Sequence, residues 1–272
     1  MPTRPPTAAA EASTHSGGDD GPDTEPRTRS GAERAVSATI GVVGELLITA
    51  GLVVLLFAAW QLWWTDVVAN REQRDTVSEL RDGWASTGPT EALVDPSTPI
   101  PAVPEPVPIT GDVFAVLYVP RFGLEGRPVV EGTGDDDLQR GVGHYEGSAM
   151  PGEVGNLALA GHRVTYGRPF NRIAELEPGD PLVVETASGW YLYRVTTYEI
   201  VPPTRTEVVA PVPGDPAAVP TAQLITLTSC HPQYSARERY IVHGALESWQ
   251  PAEAGPPDVF GDRPPPARAE EG

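Results

Sequence analysis

The chain of 272 residues has no lysine and one cysteine, Cys230. A lone thiol closes no internal disulfide, so covalent cross-linking is excluded as a source of stability within the chain. All nineteen basic residues are arginine, a pattern we read as codon usage in a GC-rich genome. The formal net charge of -18 excludes a broad basic face, and with it nucleic acid as a partner, because phosphate binding requires one. No internal repeat is present. No run of acidic residues has the spacing of a dedicated calcium site, so neither a metal nor a cofactor is expected.

Long apolar runs are scarce too, with one exception. Leu46 to Thr65, LLITAGLVVLLFAAWQLWWT, carries no charge. Its roughly twenty residues would span about 30 Å as a helix, the thickness of bilayer hydrocarbon. The apolar stretch begins near Val36 with Glu45 as its one charge, and Trp60, Trp63 and Trp64 cluster at its end as an interfacial belt would. A transmembrane helix is therefore expected over 35–65. A cleaved signal peptide is disfavoured by the long preceding segment and the lack of a small-residue cleavage site. Arginines balance on the two sides. Arg34 lies nearest the span and Asp66 is the first charge after it, which places the N-terminus in the cytoplasm and the remainder outside.

The flanks differ in composition. Residues 1–34 and 251–272 are rich in Pro, Gly, Ala and acids without apolar periodicity and read as disordered tails. Residues 66–108 read as a stalk and linker. Val77, Leu80 and Trp84 share one helical face, and seven prolines between Pro89 and Pro108 then impose an extended spacer. Residues 109–250 form the folded domain. Short apolar or alternating runs at Val113–Val119, Arg127–Val130, Asn156–His162, Pro181–Glu185, Gly189–Thr197, Gln223–Thr228 and Arg239–Leu246 are separated by Gly, Pro, Asn and Asp. Helical patches are confined to Asp135–Arg140 and Pro169–Leu176. The pattern predicts an all-β, closed or nearly closed barrel with one or two short helices.

The lone cysteine ends one of the β-like runs, in Thr226-Leu-Thr-Ser-Cys230-His-Pro, and Arg239 opens the next. A free cysteine is commonly a small buried apolar side chain, but cysteine catalysis needs just such a neighbourhood: a thiolate, a proton carrier and a donor for a developing oxyanion. Of five histidines, His15 lies in the tail and His243 inside the last strand. His231 would point away from its neighbour on an extended backbone. His162, closing an apolar run at Ala-Gly-His-Arg, is the first candidate and His144 the second. Arg239 is favoured over Arg237 because pairing of the two runs would return it to the level of Cys230.

These residues resemble a known family. TLTSC followed by Arg239-Tyr-Ile-Val is similar to the sortase signature. Gly155-Asn-Leu-Ala-Leu-Ala-Gly-His162-Arg resembles the family's histidine motif. Val-Thr-Tyr-Gly-Arg-Pro-Phe-Asn-Arg-Ile, Trp190-Tyr-Leu-Tyr-Arg and Val201-Pro-Pro-Thr resemble class E sortases of high-GC actinobacteria. The resemblance implies an eight-stranded sortase barrel behind one membrane helix. It also implies a cysteine transpeptidase that cleaves a C-terminal Leu-Ala-x-Thr-Gly or Leu-Pro-x-Thr-Gly signal on secreted proteins. Cys230 would attack between Thr and Gly, His162 would carry protons, and Arg239 would hold the oxyanion. A peptidoglycan-precursor amine, that of lipid II, would resolve the thioester. Tyr166, Thr228 and Ser229 become candidates for substrate binding, Tyr166 for the Leu-Ala preference. Two departures stand out: Ser229 replaces a threonine, and Asp95-Pro96-Ser97 lacks the aromatic of the lid found in pilus-building class C members. The alternatives are a pilin polymerase, a hydrolase of the same signal, and a membrane-tethered binding barrel with a structural cysteine.

Overall fold

The computed structural model describes residues 31–87, 106–123 and 125–261. The Asp95-Pro96 dipeptide, most of the proline-rich spacer and residues 1–30 and 262–272 lie outside the described residues. The chain divides at Leu55/Leu56 into two compact units.

The first unit holds the start of one long helix, α1 (Gly31–Thr87). Its apolar side chains, among them Leu47, Ile48 and Leu55, are exposed. The helix is long and apolar enough to cross a membrane.

The second unit is an eight-stranded closed barrel, in the order β1-β2-β3-β4-β7-β8-β6-β5. The strands are β1 (Val113–Tyr118), β2 (Arg127–Glu131), β3 (Val142–His144), β4 (Gly155–Ala160), β5 (Pro181–Glu185), β6 (Gly189–Val201), β7 (Gln223–His231) and β8 (Glu238–Pro251); a short helix, α2 (Asp135–Arg140), joins β2 to β3. All seven strand-like runs of the sequence are strands. The eighth, β3, is three residues long and too short to show a period. The Pro169–Leu176 patch contains a single 3-10 turn, Ile173–Glu175. Two of the pairings, β2 with β3 and β4 with β7, are parallel.

Alternation fills the barrel. Ala115 and Leu117 of β1, Leu157 and Leu159 of β4, Ile225 and Leu227 of β7, and Tyr240 and Val242 of β8 share one interior core with Phe170 and Tyr193. The run in β1 is continuously apolar because its other face is covered as well. Val116 and Tyr118, with Val183, Trp190 and Leu192, form an outer cluster that receives Val77, Leu80 and Trp84 of α1 and Phe260. The stalk face of the sequence is thus a docking face, and α1 lies against the barrel through its last turns. Residues 252–254 and 258–260 form 3-10 turns that bring Phe260 edge-on to Tyr118. Phe260, with Val259 beside it, docks this proline- and acid-rich stretch on the outer cluster.

At the centre of this outer patch is a buried ion pair. Arg81 of α1 donates from Nε (3.1 Å) and Nη2 (2.7 Å) to Oε2 of Glu185, which Tyr118 also reaches at 2.8 Å. Breaking a buried pair by removing one partner typically costs about 3–5 kcal/mol. Arg81→Leu should therefore lower the urea midpoint clearly, whereas Arg71→Leu, on the exposed face of the same helix, should leave it unchanged. Equal midpoints for the two variants would refute a structural role for the pair.

Candidate active site

Hydrogen-bond register sets the site. In the antiparallel β7–β8 ladder Cys230 lies directly opposite Arg239, and directly opposed residues project from the same face. Interior positions on β7 are Ile225 and Leu227, so Thr226, Thr228 and Cys230 face outward. On β8, Tyr240 and Val242 face inward and Arg239 outward.

The parallel β4–β7 ladder runs from Gly155↔Gln223 to Ala160↔Thr228. Beyond it, Gly161 N donates to Thr228 O (3.1 Å), and Ser229 Oγ donates to Gly161 O (2.8 Å). These bonds keep the chain on β7 through Gly161, so that His162 comes two residues after Ala160 just as Cys230 comes two residues after Thr228, the partner of Ala160. Cys230, His162 and Arg239 are each partly exposed, as side chains that meet a substrate must be. Gly161 is required here: a Cβ would lie 2.6 Å from the Phe170 ring.

The remaining candidates fall in different places. The ring of Tyr166 lies 5.3 Å from that of His162. Thr228 is buried and shares a hydrogen bond with the Tyr145 hydroxyl at 3.1 Å. Ser229 is buried, points into the wall and is occupied with Gly161 O, so it fixes the histidine segment and offers no free hydroxyl to a ligand. This also accounts for serine in place of threonine, since the hydroxyl alone makes the bond. His144 is buried, with Nδ1 2.5 Å from Glu131 and Nε2 2.7 Å from Ser148. Its two nitrogens are engaged away from the thiol. His243 bonds to Thr226 (2.9 Å) and Glu199 (3.4 Å) on the outer wall. Arg237 is exposed.

One residue escapes a reading of the sequence. Arg163 is buried, donates from Nη1 to Cys230 O (3.1 Å) and to His231 Nδ1 (3.0 Å), and lies over the Tyr240 ring. Its signal is its place beside His162 in a tight loop. Arg239 donates to the carbonyls of Ala236 and Glu238, both at 3.0 Å. Among the described residues neither arginine forms an ion pair. No cluster of three metal-ligating side chains occurs among them either. A cavity of about 540 Å³, lined by Asn70, Val119, Phe122, Arg127, Phe170 and Arg172, adjoins the loop that follows His162.

The comparisons with known proteins agree with this geometry. A family model for the sortase domain matches residues 117–247. Sortase SrtE2 of Streptomyces coelicolor is 36% identical over 243 residues, 86% of this chain and 89% of that protein. The chain belongs to the sortase family. Sortase SrtE1 of the same organism is 35% identical over 246 residues, 87% of this chain and 66% of its own length. Both likenesses place the chain with class E. Among solved structures, the SrtA sortase from Actinomyces oris superposes with a TM-score of 0.57 at 42% identity, covering 61% of this chain and 97% of that one. Sortases are cysteine transpeptidases, and this member has a single cysteine for that role.

Burial holds the His162 imidazole below the ordinary value of 6.5, opposed weakly by Asp135. Burial lowers His243 in the same way, against Glu199. The folded chain therefore takes up these protons at lower pH than the unfolded chain. The resulting stability is present above pH 6.5 and is lost as pH falls from 6.5 through the depressed folded values. Urea midpoints should drop between pH 7.5 and 5.5, and His243→Gln should reduce that drop. In a ring-carbon NMR titration His162 should show a midpoint below 6.5; one above it would contradict the role of burial.

Proposed function

We propose that the chain is a membrane-anchored class E sortase that cleaves a C-terminal Leu-Ala-x-Thr-Gly-type signal between Thr and Gly and transfers the acyl part to an amine of a peptidoglycan precursor. What supports this reading is the register: Cys230 lies directly opposite Arg239, and His162 follows two residues after Ala160, which pairs with Thr228 on the cysteine's own strand.

The chemistry follows from the three groups. Neutral His162 accepts the proton of the Cys230 thiol as sulfur attacks the threonine carbonyl. The electron pair of that carbonyl moves onto oxygen, where the Arg239 guanidinium stabilises it. Collapse of the intermediate breaks the Thr–Gly bond, and His162 returns its proton to the departing glycine amine. A thioester on Cys230 remains. The acceptor amine then attacks it, His162 takes the excess proton, and the thiol is regenerated. Tyr166, its ring tilted against that of His162, narrows the groove next to the scissile bond and favours alanine over proline in the signal. The apolar run of α1 holds the enzyme in the membrane, N-terminus inside, where lipid-linked acceptor and secreted substrate both arrive. The pilin-polymerising and purely binding alternatives have no feature of this site in their favour.

Incubating the full chain with a Leu-Ala-x-Thr-Gly peptide should give a mass shift on Cys230 equal to the acyl fragment through threonine. Cys230→Ala should abolish it. His162→Ala and Arg239→Ala should each slow it by about a hundredfold or more, and Arg237→Ala should change it little. Full activity in Arg239→Ala would sink the assignment.

A further inference from the structure

The face of α1 that docks on the barrel continues toward its membrane end as Asp66, Asn70 and Gln73, in register with Val77, Leu80 and Trp84 at helical spacing. These three polar residues meet the turn that follows His162. Gln73 Nε2 donates to Tyr166 O at 3.0 Å. Gly167 N donates to Asp66 Oδ1 at 3.3 Å, and Arg168 Nε pairs with Asp66 Oδ2 at 2.9 Å. Asn70 Oδ1 and Gln73 Oε1 both accept from Arg127, at 2.6 and 2.9 Å, so Gln73 is held at both ends of its amide.

The turn so gripped has an uncommon backbone. Tyr166, Gly167 and Arg168 have φ of 51, 76 and 49° in succession, a region few side chains occupy and that persists only where the surroundings enforce it. The approach is close: a Cβ on Gly167 would lie 3.0 Å from both Asn70 Oδ1 and Gln73 Oε1. Tyr166 in turn places its ring on His162, and Phe170 N donates to His162 O at 3.1 Å. A continuous set of contacts therefore runs from the anchoring helix to the imidazole.

We infer that Asp66 and Gln73 are positioning residues: they hold the 166–168 turn, and through Tyr166 the imidazole of His162, in the geometry that proton transfer requires. This rests on the proton-carrying role proposed for His162. Its consequence is that the membrane helix is a working part of the active site as well as an anchor, and that a barrel released from it keeps the three catalytic groups but loses the alignment of one.

The test uses the full chain in detergent micelles, with Asp66→Ala/Gln73→Ala, the conservative Asp66→Asn, and Glu72→Gln on the exposed side of the helix. The double variant should lose about ten- to a hundredfold in kcat on the signal peptide, the scale of an ångström's misplacement, with KM nearly unchanged. Its acid limb should move to higher pH as His162 gains solvent. Hydrogen exchange should rise over residues 163–170 and not in β4 or β7. Asp66→Asn, which keeps the acceptor for Gly167 N, should recover much of the loss, and Glu72→Gln should match the unmodified chain. Acyl-enzyme formed equally fast, with an unmoved pH limb, would overturn the clamp. So would a loss that tracks exchange throughout the barrel and is not rescued by Asp66→Asn. Absence of acyl-enzyme in the unmodified chain would instead remove the reading of His162 itself.

Discussion

The parallel pairing of β4 with β7 is the constraint on which the site depends. Cys230 and Arg239 are joined by an antiparallel hairpin, whose register a short loop can set. His162 follows β4, more than sixty residues earlier, and the β4–β7 ladder sets where that strand ends. A slip of one residue would reverse the parity of β4 and turn its outward side chains into the core. The ladder is secured where slippage would begin. Thr226 donates to Asn156 at 2.8 Å near one end, and Ser229 to Gly161 at the other, while Leu157, Leu159, Ile225 and Leu227 lock the inner parity by burial. Packing and polar bonds thus specify the same register, which is the condition for a single native arrangement.

The outer wall of the barrel is completed by segments from outside it. Val116, Tyr118, Val183 and Trp190 would leave an apolar patch in water on β1, β5 and β6. The chain covers it with segments from both sides of the barrel in sequence, α1 before it and Phe260 after it. Arg81 then enters this apolar contact with its charge matched by Glu185. A buried pair of this kind adds little net stability but penalises alternative seatings, because any shift of the helix strands a charge. We regard it as the device that fixes helix rotation. Rotation matters because the same face, two to four turns toward the start of the helix, carries Gln73, Asn70 and Asp66 to the histidine loop.

Much of this was legible in the sequence, and the parts that were not have physical reasons. Strands with clear alternation, such as Gly189–Thr197, declare themselves, as does the apolar span before Asp66. The pairing of Cys230 with Arg239 follows from hairpin geometry. β3 does not show because three residues cannot display a period, and its place beside β2 depends on a parallel pairing no local signal encodes. The C-terminal turns do not show because their order comes from Phe260 meeting a surface made elsewhere. Val77, Leu80 and Trp84 marked a helical face, but what the face meets lies in β1 and β6. Asp66 and Gln73 carry no motif at all. Their meaning comes from a turn a hundred residues away whose backbone, at Tyr166 and Arg168, is one that composition would not predict.

The electrostatics of the site run against those of the chain. With a net charge of -18, arginines would be expected to find carboxylates, and many do: Arg81, Arg121, Arg172, Arg194 and Arg205 all sit in ion pairs. Arg163 and Arg239, the two that flank Cys230, do not. Both are held by neutral acceptors, backbone carbonyls and one imidazole nitrogen. A guanidinium fixed by carbonyls keeps its orientation without having its charge cancelled, and partial burial prevents water from screening it fully. In the acyl transfer proposed above, negative charge passing from sulfur to a carbonyl oxygen would develop beside positive charge already in place, with little reorganisation needed at that moment. Depression of the His162 proton affinity by burial complements this arrangement. A permanently charged imidazolium could not accept a thiol proton, whereas a neutral ring can take one and give it up again, as the proposed mechanism requires.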